Sequence, residues 1–123
     1  MKSKKILLVA GEVSGDLHGS HLVDAIHRID PEVCFLGVGG EGLNRSGMKL
    51  LYSAHSLSVV GVTEVFIKLR SILKALRGLK KSLEQERPDL VILIDFPDFN
   101  FRLAKIAHRR GIPILYYISP QVW

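Results

Sequence analysis

The 123-residue sequence contains a single cysteine, Cys34, so no disulfide can form within the chain. That usage fits a reducing compartment. No apolar run approaches the roughly 20 residues that span a bilayer. No signal peptide is expected, because the apolar stretch at residues 6–10 is too short for one and Glu12 and Asp16 follow it closely. Aromatics make up only 7% of the chain and are not interleaved with its basic residues, so the formal net charge of +5 comes without a nucleic-acid-binding pattern. An anionic membrane or a phosphorylated substrate remains compatible with that charge. Internal repeats and low-complexity segments are also missing.

What is present is ordinary for one globular domain with a core: 47% hydrophobic and 24% charged residues. Short apolar runs alternate with helical patterns. A strand at 6–10 leads into the polar turn Gly11-Glu12-Val13-Ser14-Gly15-Asp16, and a helix follows with Leu22, Val23, Ile26 and Ile29 at helical spacing. Strand, glycine turn and helix is the arrangement that points free backbone N–H groups at an anion. The turn lacks the Gly-Lys-Ser/Thr ending of a phosphate-binding P-loop. Two readings of it stand side by side, a ligand-contacting turn and a tight connection capped by Ser14 or Asp16. His18 and His21 lie one helical turn apart without an evident third ligand, so no metal site is expected and both are read as surface histidines.

A second strand is expected at 33–36. Gly37-Val38-Gly39-Gly40-Glu41-Gly42 matches G-x-G-x-x-G, but it follows the second strand, and no acidic residue stands behind it in the ribose-binding role. It reads as a flexible turn before a short helix. A weak third strand, at an edge, covers 49–52, and an apolar connection covers 57–63. The longest helix runs over 64–87, where Val65, Leu69, Ile72, Leu76, Leu79 and Leu83 form one stripe able to cover a sheet. Phe66 and Leu73 fall beside that stripe, next to Arg70, Lys74, Arg77 and Lys81, and no acidic residue occurs between Glu64 and Glu84. An apolar shoulder bordering a cationic face suits a helix lying on an anionic membrane. It equally suits a wide core stripe with a solvated basic face.

Residues 90–94, Leu-Val-Ile-Leu-Ile, read as a strand buried on both faces, and Asp95 follows at once. A carboxylate at the C-terminal end of such a strand stands where open α/β sheets bind ligands. A charge there costs free energy unless something pairs with it or uses it. Pro97 fixes a turn, and Asp98 or Asn100 is expected to cap the next helix, read over 101–110 with Leu103, Ile106 and Ala107 inward. Gly111 suits the C′ position, and a last strand covers 114–118. The alternation predicts a Rossmann-like, doubly wound parallel α/β sheet with the first and fourth strands adjacent at its centre.

Three blocks, Val-Ala-Gly-Glu-Val-Ser-Gly-Asp at 9–16, Ile-Asp-Phe-Pro-Asp-Phe-Asn at 94–100 and Tyr-Ile-Ser-Pro-Gln-Val-Trp at 117–123, together resemble the lipid-A-disaccharide synthase family. The 37–42 turn is similar to the family's glycine-rich segment, with Glu41-Gly42-Leu43 in place of the more usual Pro-Arg-Met. The resemblance implies the N-terminal, acceptor-side domain of a GT-B glycosyltransferase over 1–123, ending before the donor-binding domain. It implies transfer of diacylglucosamine from a UDP donor to diacylglucosamine phosphate, with inversion and with neither metal nor cofactor, on the cytoplasmic face of the inner membrane. Asp95 matches the family's proposed catalytic carboxylate and would be the general base. Glu12, Ser14, Gly15 and Asp16 would line the substrate cleft, and Ser119 of the third block is placed with them. Val65, Phe66, Leu69, Ile72 and Leu73 fall in the family's membrane-facing helix. The chain alone is expected to be inactive, and its oligomeric state is left open. The alternatives are another GT-B enzyme, or a non-catalytic α/β module that binds a phosphorylated ligand or a membrane.

Overall fold

The computed structural model describes residues 3–54 and 65–117, with side chains in the second segment from Leu69 onward. Five strands, β1 (Lys5–Ala10), β2 (Cys34–Gly39), β3 (Lys49–Ser53), β4 (Leu90–Ile94) and β5 (Ile114–Tyr117), form one sheet in the order β3-β2-β1-β4-β5. All four pairings are parallel. The first and fourth strands are central neighbours and β3 is an edge, as the sequence pattern requires. Helices α1 (Val13–Ile29), α2 (Glu41–Arg45), α3 (Val65–Glu86) and α4 (Pro97–Arg109) complete the described elements.

Strand alternation divides the core between the two faces. Leu7, Val9, Val91 and Leu93 point to one side, where Ala75, Leu79 and Leu83 of α3 and Phe99, Leu103 and Ala107 of α4 cover them. Leu8, Ala10, Ile92 and Ile94 point to the other, where Val23 of α1 and Leu43 of α2 close the second cluster. From Ile6 to Ala10 and from Leu90 to Ile94 the two central strands are therefore apolar at every position, which explains their continuous rather than alternating hydrophobicity.

Two sequence expectations change here. The strand expected at 33–36 continues to Gly39, so half of the supposed flexible turn is sheet. Gly37 makes this feasible. Its φ is +149°, and it pairs with Leu8 so closely that a Cβ would lie 1.9 Å from the Leu8 carbonyl oxygen. The register against β3 also shifts there, with Gly37 opposite Leu50 and Val38 opposite Tyr52. Helix α4 begins at Pro97 rather than at 101, because proline at the first helical position loses no hydrogen bond. Its C-terminus follows expectation. Gly111 N–H donates to His108 O at 3.0 Å and Ile112 N–H to Ala107 O at 3.1 Å, a Schellman pair with Gly111 at φ +69°.

The stripe on α3 does not serve one purpose along its length. Ile72 and Leu76 pack against the core, and Ala75, Leu79 and Leu83 are buried within it. One turn before Ile72, Leu69 is 52% exposed, and Leu73 is 41% exposed. Arg70, Lys74, Arg77 and Lys81 are exposed beside them. The side chains of Val65 and Phe66, and the whole of 57–63, lie outside the described residues. No helix among the described residues is long and apolar enough to cross a membrane.

Candidate functional site

All five strands run parallel, so their C-terminal ends share one edge of the sheet, and Glu12, Ser14, Gly15 and Asp16 after β1 and Asp95 after β4 lie at that edge. At the end of β1, Glu12 occupies the N-cap of α1 in extended conformation without a side-chain cap bond. The capping expected from Ser14 or Asp16 is not found. Both lie inside the helix, Ser14 exposed and Asp16 in the first turn. Gly15 is buried, and a Cβ there would sit 3.4 Å from both Ala10 and Ile94, so its role is close packing of helix on sheet.

Asp16 caps a different helix. Its Oδ1 accepts from Gly40 N–H at 2.7 Å and Leu43 N–H at 3.0 Å, and its Oδ2 accepts from Gly42 N–H at 2.9 Å. These are the unsatisfied donors at the start of α2, where a carboxylate is also favoured by the helix dipole. The glycine-rich turn is thus held by an internal anion, and Asp16 also lines the cavity beside it. Asp16→Ala strands three donors that a charged acceptor had satisfied. It is expected to destabilise the chain by about 3 kcal/mol, read as a fall in Tm of roughly 10 °C.

Beside this clamp lies a cavity of about 620 Å³. Its walls combine Glu12, Arg45 and Ser53 with Val13 and Leu17, which are 89% and 55% exposed. A polar rim next to uncovered aliphatic side chains suits a ligand with both polar and apolar parts. Asp95 stands at the end of β4 and is not among the cavity's lining residues.

The Asp95 turn is built differently. Asp95 has φ +46° and Phe96 φ +52°, two consecutive left-handed residues that are not glycine. Each such residue costs of order 1–3 kcal/mol unless its surroundings fix it, and for a bulky aromatic the conformation is especially unusual. Phe96 serves as N-cap of α4 without a side-chain cap bond, so the capping expected from Asp98 or Asn100 does not occur. Asp98 is exposed in the first turn. Asn100 is fully buried, and its Nδ2 donates to Asp95 O at 2.6 Å and, more weakly, to Ile94 O at 3.4 Å. The Tyr116 hydroxyl donates to the same Asp95 carbonyl at 2.9 Å, and Asp95 N–H donates to Tyr117 O at 3.2 Å. Across the edge, the Phe96 ring fills the space in front of Gly11, where a Cβ would lie 2.5 Å from it. Among the described residues no hydrogen bond or ion pair engages the Asp95 carboxylate.

Burial, and then the negative charge of Asp95, push the Tyr116 phenol above its ordinary value of 10.0. The folded chain therefore keeps this proton to higher pH than the unfolded chain does. Stability from this group is intact below about pH 10 and is lost as pH rises through the folded value. Thermal melts across that range should fall less steeply for Tyr116→Phe than for the parent chain. Equal slopes would contradict this account of the phenol.

The family model of lipid-A-disaccharide synthetase matches residues 6–123. The chain belongs to this family. It is 54% identical over all of its 123 residues to the lipid-A-disaccharide synthase of Syntrophus aciditrophicus (strain SB), of which it covers 32%. The chain thus spans about a third of the length of the curated relatives it matches. Among solved structures, the glycosyltransferase of kitacinnamycin superposes with a TM-score of 0.68 at 16% identity, covering all of this chain and 32% of that one. A hydrogenase C-terminal domain from Pyrococcus furiosus reaches the same TM-score at 18% identity, covering 95% of this chain and 94% of that one. At such identities the likeness is one of fold, the Rossmann-like α/β arrangement that GT-B glycosyltransferases use as their N-terminal domain. The hydrogenase domain shows that this frame does not itself specify a chemistry.

For a lipid-A-disaccharide synthase family member, the sequence blocks locate the Asp95 turn but not what holds it. The sequence pattern offers Asn100 only as one of two candidate caps and Tyr116 only as part of the last strand. Their signal was present, because Asn100 shares a helix face with Leu103 and Ala107, and a polar residue on a buried stripe must have a partner. Ser119, placed with the substrate-binding residues, lies outside the described residues. His21 is exposed on α1, and the His18 ring lies 6.5 Å from the Tyr117 ring, tilted by 46°.

Proposed function

We propose that this chain is the acceptor-side part of an inverting glycosyltransferase. The enzyme moves diacylglucosamine from its UDP donor to diacylglucosamine phosphate and forms the lipid A disaccharide phosphate. Asp95 takes the proton of the acceptor's sugar hydroxyl as its oxygen attacks the anomeric carbon. The bond from that carbon to the donor's phosphate oxygen breaks on the opposite face, and UDP leaves with the electron pair. A general base of this kind contributes roughly 10²–10⁴-fold to rate. No metal or cofactor enters the step.

One observation carries the reading. The Asp95 carboxylate stands at the ligand-binding edge of the sheet, on a turn held by several side chains, while nothing among the described residues engages the carboxylate itself. Glu12 and Ser14, open at the same edge, complete the acceptor side. The exposed Leu69 and Leu73, flanked by Arg70, Lys74 and Arg77, support peripheral contact with the anionic inner membrane on its cytoplasmic side. The curated relatives are about three times as long; the donor half is assigned to their remaining sequence, and residues 1–123 alone are expected to be inactive.

The test incubates the intact gene product with UDP-diacylglucosamine and diacylglucosamine phosphate and looks for the disaccharide by mass spectrometry. Product of the expected mass supports the reading. A different glycoside product would point to another GT-B enzyme, and liposome binding without sugar chemistry to a non-catalytic module. Efficient turnover by residues 1–123 alone would overturn the division of labour.

A further inference from the structure

We propose that Asn100 and Tyr116 are positioning residues that act through the main chain of Asp95. Together they lock the β4–α4 turn in its left-handed form and so aim the carboxylate at the acceptor. The inference rests on the reading of Asp95 as general base and extends it to groups that never meet substrate.

Four features of the turn converge. Asp95 and Phe96 are both left-handed, a conformation that two such residues do not adopt unaided. The Asp95 carbonyl receives two side-chain donors from different elements, Asn100 Nδ2 from α4 at 2.6 Å and the Tyr116 hydroxyl from β5 at 2.9 Å. Asn100 has no solvent exposure, and its Oδ1 has no partner among the described residues. A buried amide with one half unused is a poor device for stability alone, because an unpaired buried acceptor costs free energy. The ring of Phe96 is seated over Gly11, which fixes the turn from the β1 side. Backbone direction sets where a short side chain such as aspartate points, since it has few rotatable bonds of its own. Reversing either φ would swing the carboxylate away from the edge. The protonated Tyr116 phenol, held so by burial and by the Asp95 charge, remains a donor throughout the working pH range.

The experiment uses the intact gene product, with UDP-diacylglucosamine and diacylglucosamine phosphate as substrates. Asn100→Leu is close in size and removes both the donor and the unpaired acceptor, so folding should survive. Tyr116→Phe deletes one hydroxyl and provides a second route should Asn100→Leu fail to fold. Each is expected to lower kcat roughly 10–100-fold, the scale of a misplacement of about 1 Å, with KM for both substrates within about twofold of the parent. Placed in an Asp95→Asn background, neither should lower the residual rate further, because both act through the group already lost. Unchanged kcat in Asn100→Leu and Tyr116→Phe, alongside an inactive Asp95→Asn, would overturn the positioning role while leaving Asp95 as base. Equal losses with and without Asp95 would overturn it as well, by showing a general structural effect. Full activity in Asp95→Asn would remove Asp95 from the mechanism and the inference with it.

Discussion

Asp95→Asn in the intact gene product is expected to lower kcat by roughly 10²–10⁴-fold while the protein stays folded. The substitution isolates the proton-accepting role. Asparagine has the shape of aspartate and tolerates the left-handed region as well as aspartate does, so the turn at φ +46° is preserved. The carboxylate makes no hydrogen bond or ion pair among the described residues that an amide would forfeit. A Tm close to the parent value is therefore expected alongside the lost turnover. Mass spectrometry of the disaccharide checks the first, and a thermal melt the second. Removing the charge should also let the Tyr116 phenol titrate nearer its ordinary value, which ultraviolet titration of tyrosinate would show. Retained turnover would end the assignment of Asp95 as base.

Gly37→Ala has the larger expected effect on folding. A methyl group there meets the Leu8 carbonyl oxygen at 1.9 Å and the Leu8 nitrogen at 3.0 Å, both main-chain atoms of the central strand, and φ is +149°. Neither atom belongs to a flexible side chain that could give way, so β1 and β2 would have to separate. The loss should exceed about 4 kcal/mol, a large part of the 5–15 kcal/mol that a domain possesses. The expected result is a chain without a cooperative melt by circular dichroism. Gly111→Ala is the contrasting case. It also has positive φ, +69°, but nothing lies within 4 Å of the new methyl. Its cost should be only about 1 kcal/mol. Similar Tm values for the two variants would show that close approach at Gly37 is not what β2 depends on.

Much of the fold was readable from the sequence because burial wrote it there. After Lys5, β1 is apolar throughout, as is β4, since both faces of a parallel sheet are covered, and the helix-sized gaps between strands favour the order around β1 and β4. The exact end of β2 was not readable. Its last residues include two glycines, whose turn-like composition reflects a main-chain contact with Leu8 that only the paired strands reveal. Asp95 is legible as a charge next to a buried strand, whereas the bond Asp16 makes to a different helix is neither of the two readings its turn allows. The donors it satisfies stand 24 to 27 residues away. Local sequence gives no hint of a bond over that distance. Leu69 and Ile72 lie in one periodic stripe, yet one is exposed and the other packs on the core. Periodicity identifies the face of a helix but not where along its length the sheet begins to cover it.

The seating of Phe96 over Gly11 also bears on how the family can diverge. Because the ring occupies the space a side chain at position 11 would need, with ring carbons 2.5 Å from where its Cβ would stand, position 11 cannot gain a side chain on its own. A relative that gains a side chain at the position of Gly11 must lose ring volume at that of Phe96 in the same lineage. The glycine turn after β1 and the aspartate turn after β4, distant in the chain, are thereby coupled, and a side chain in the first column only where the second has lost its ring is the trace that descent should leave.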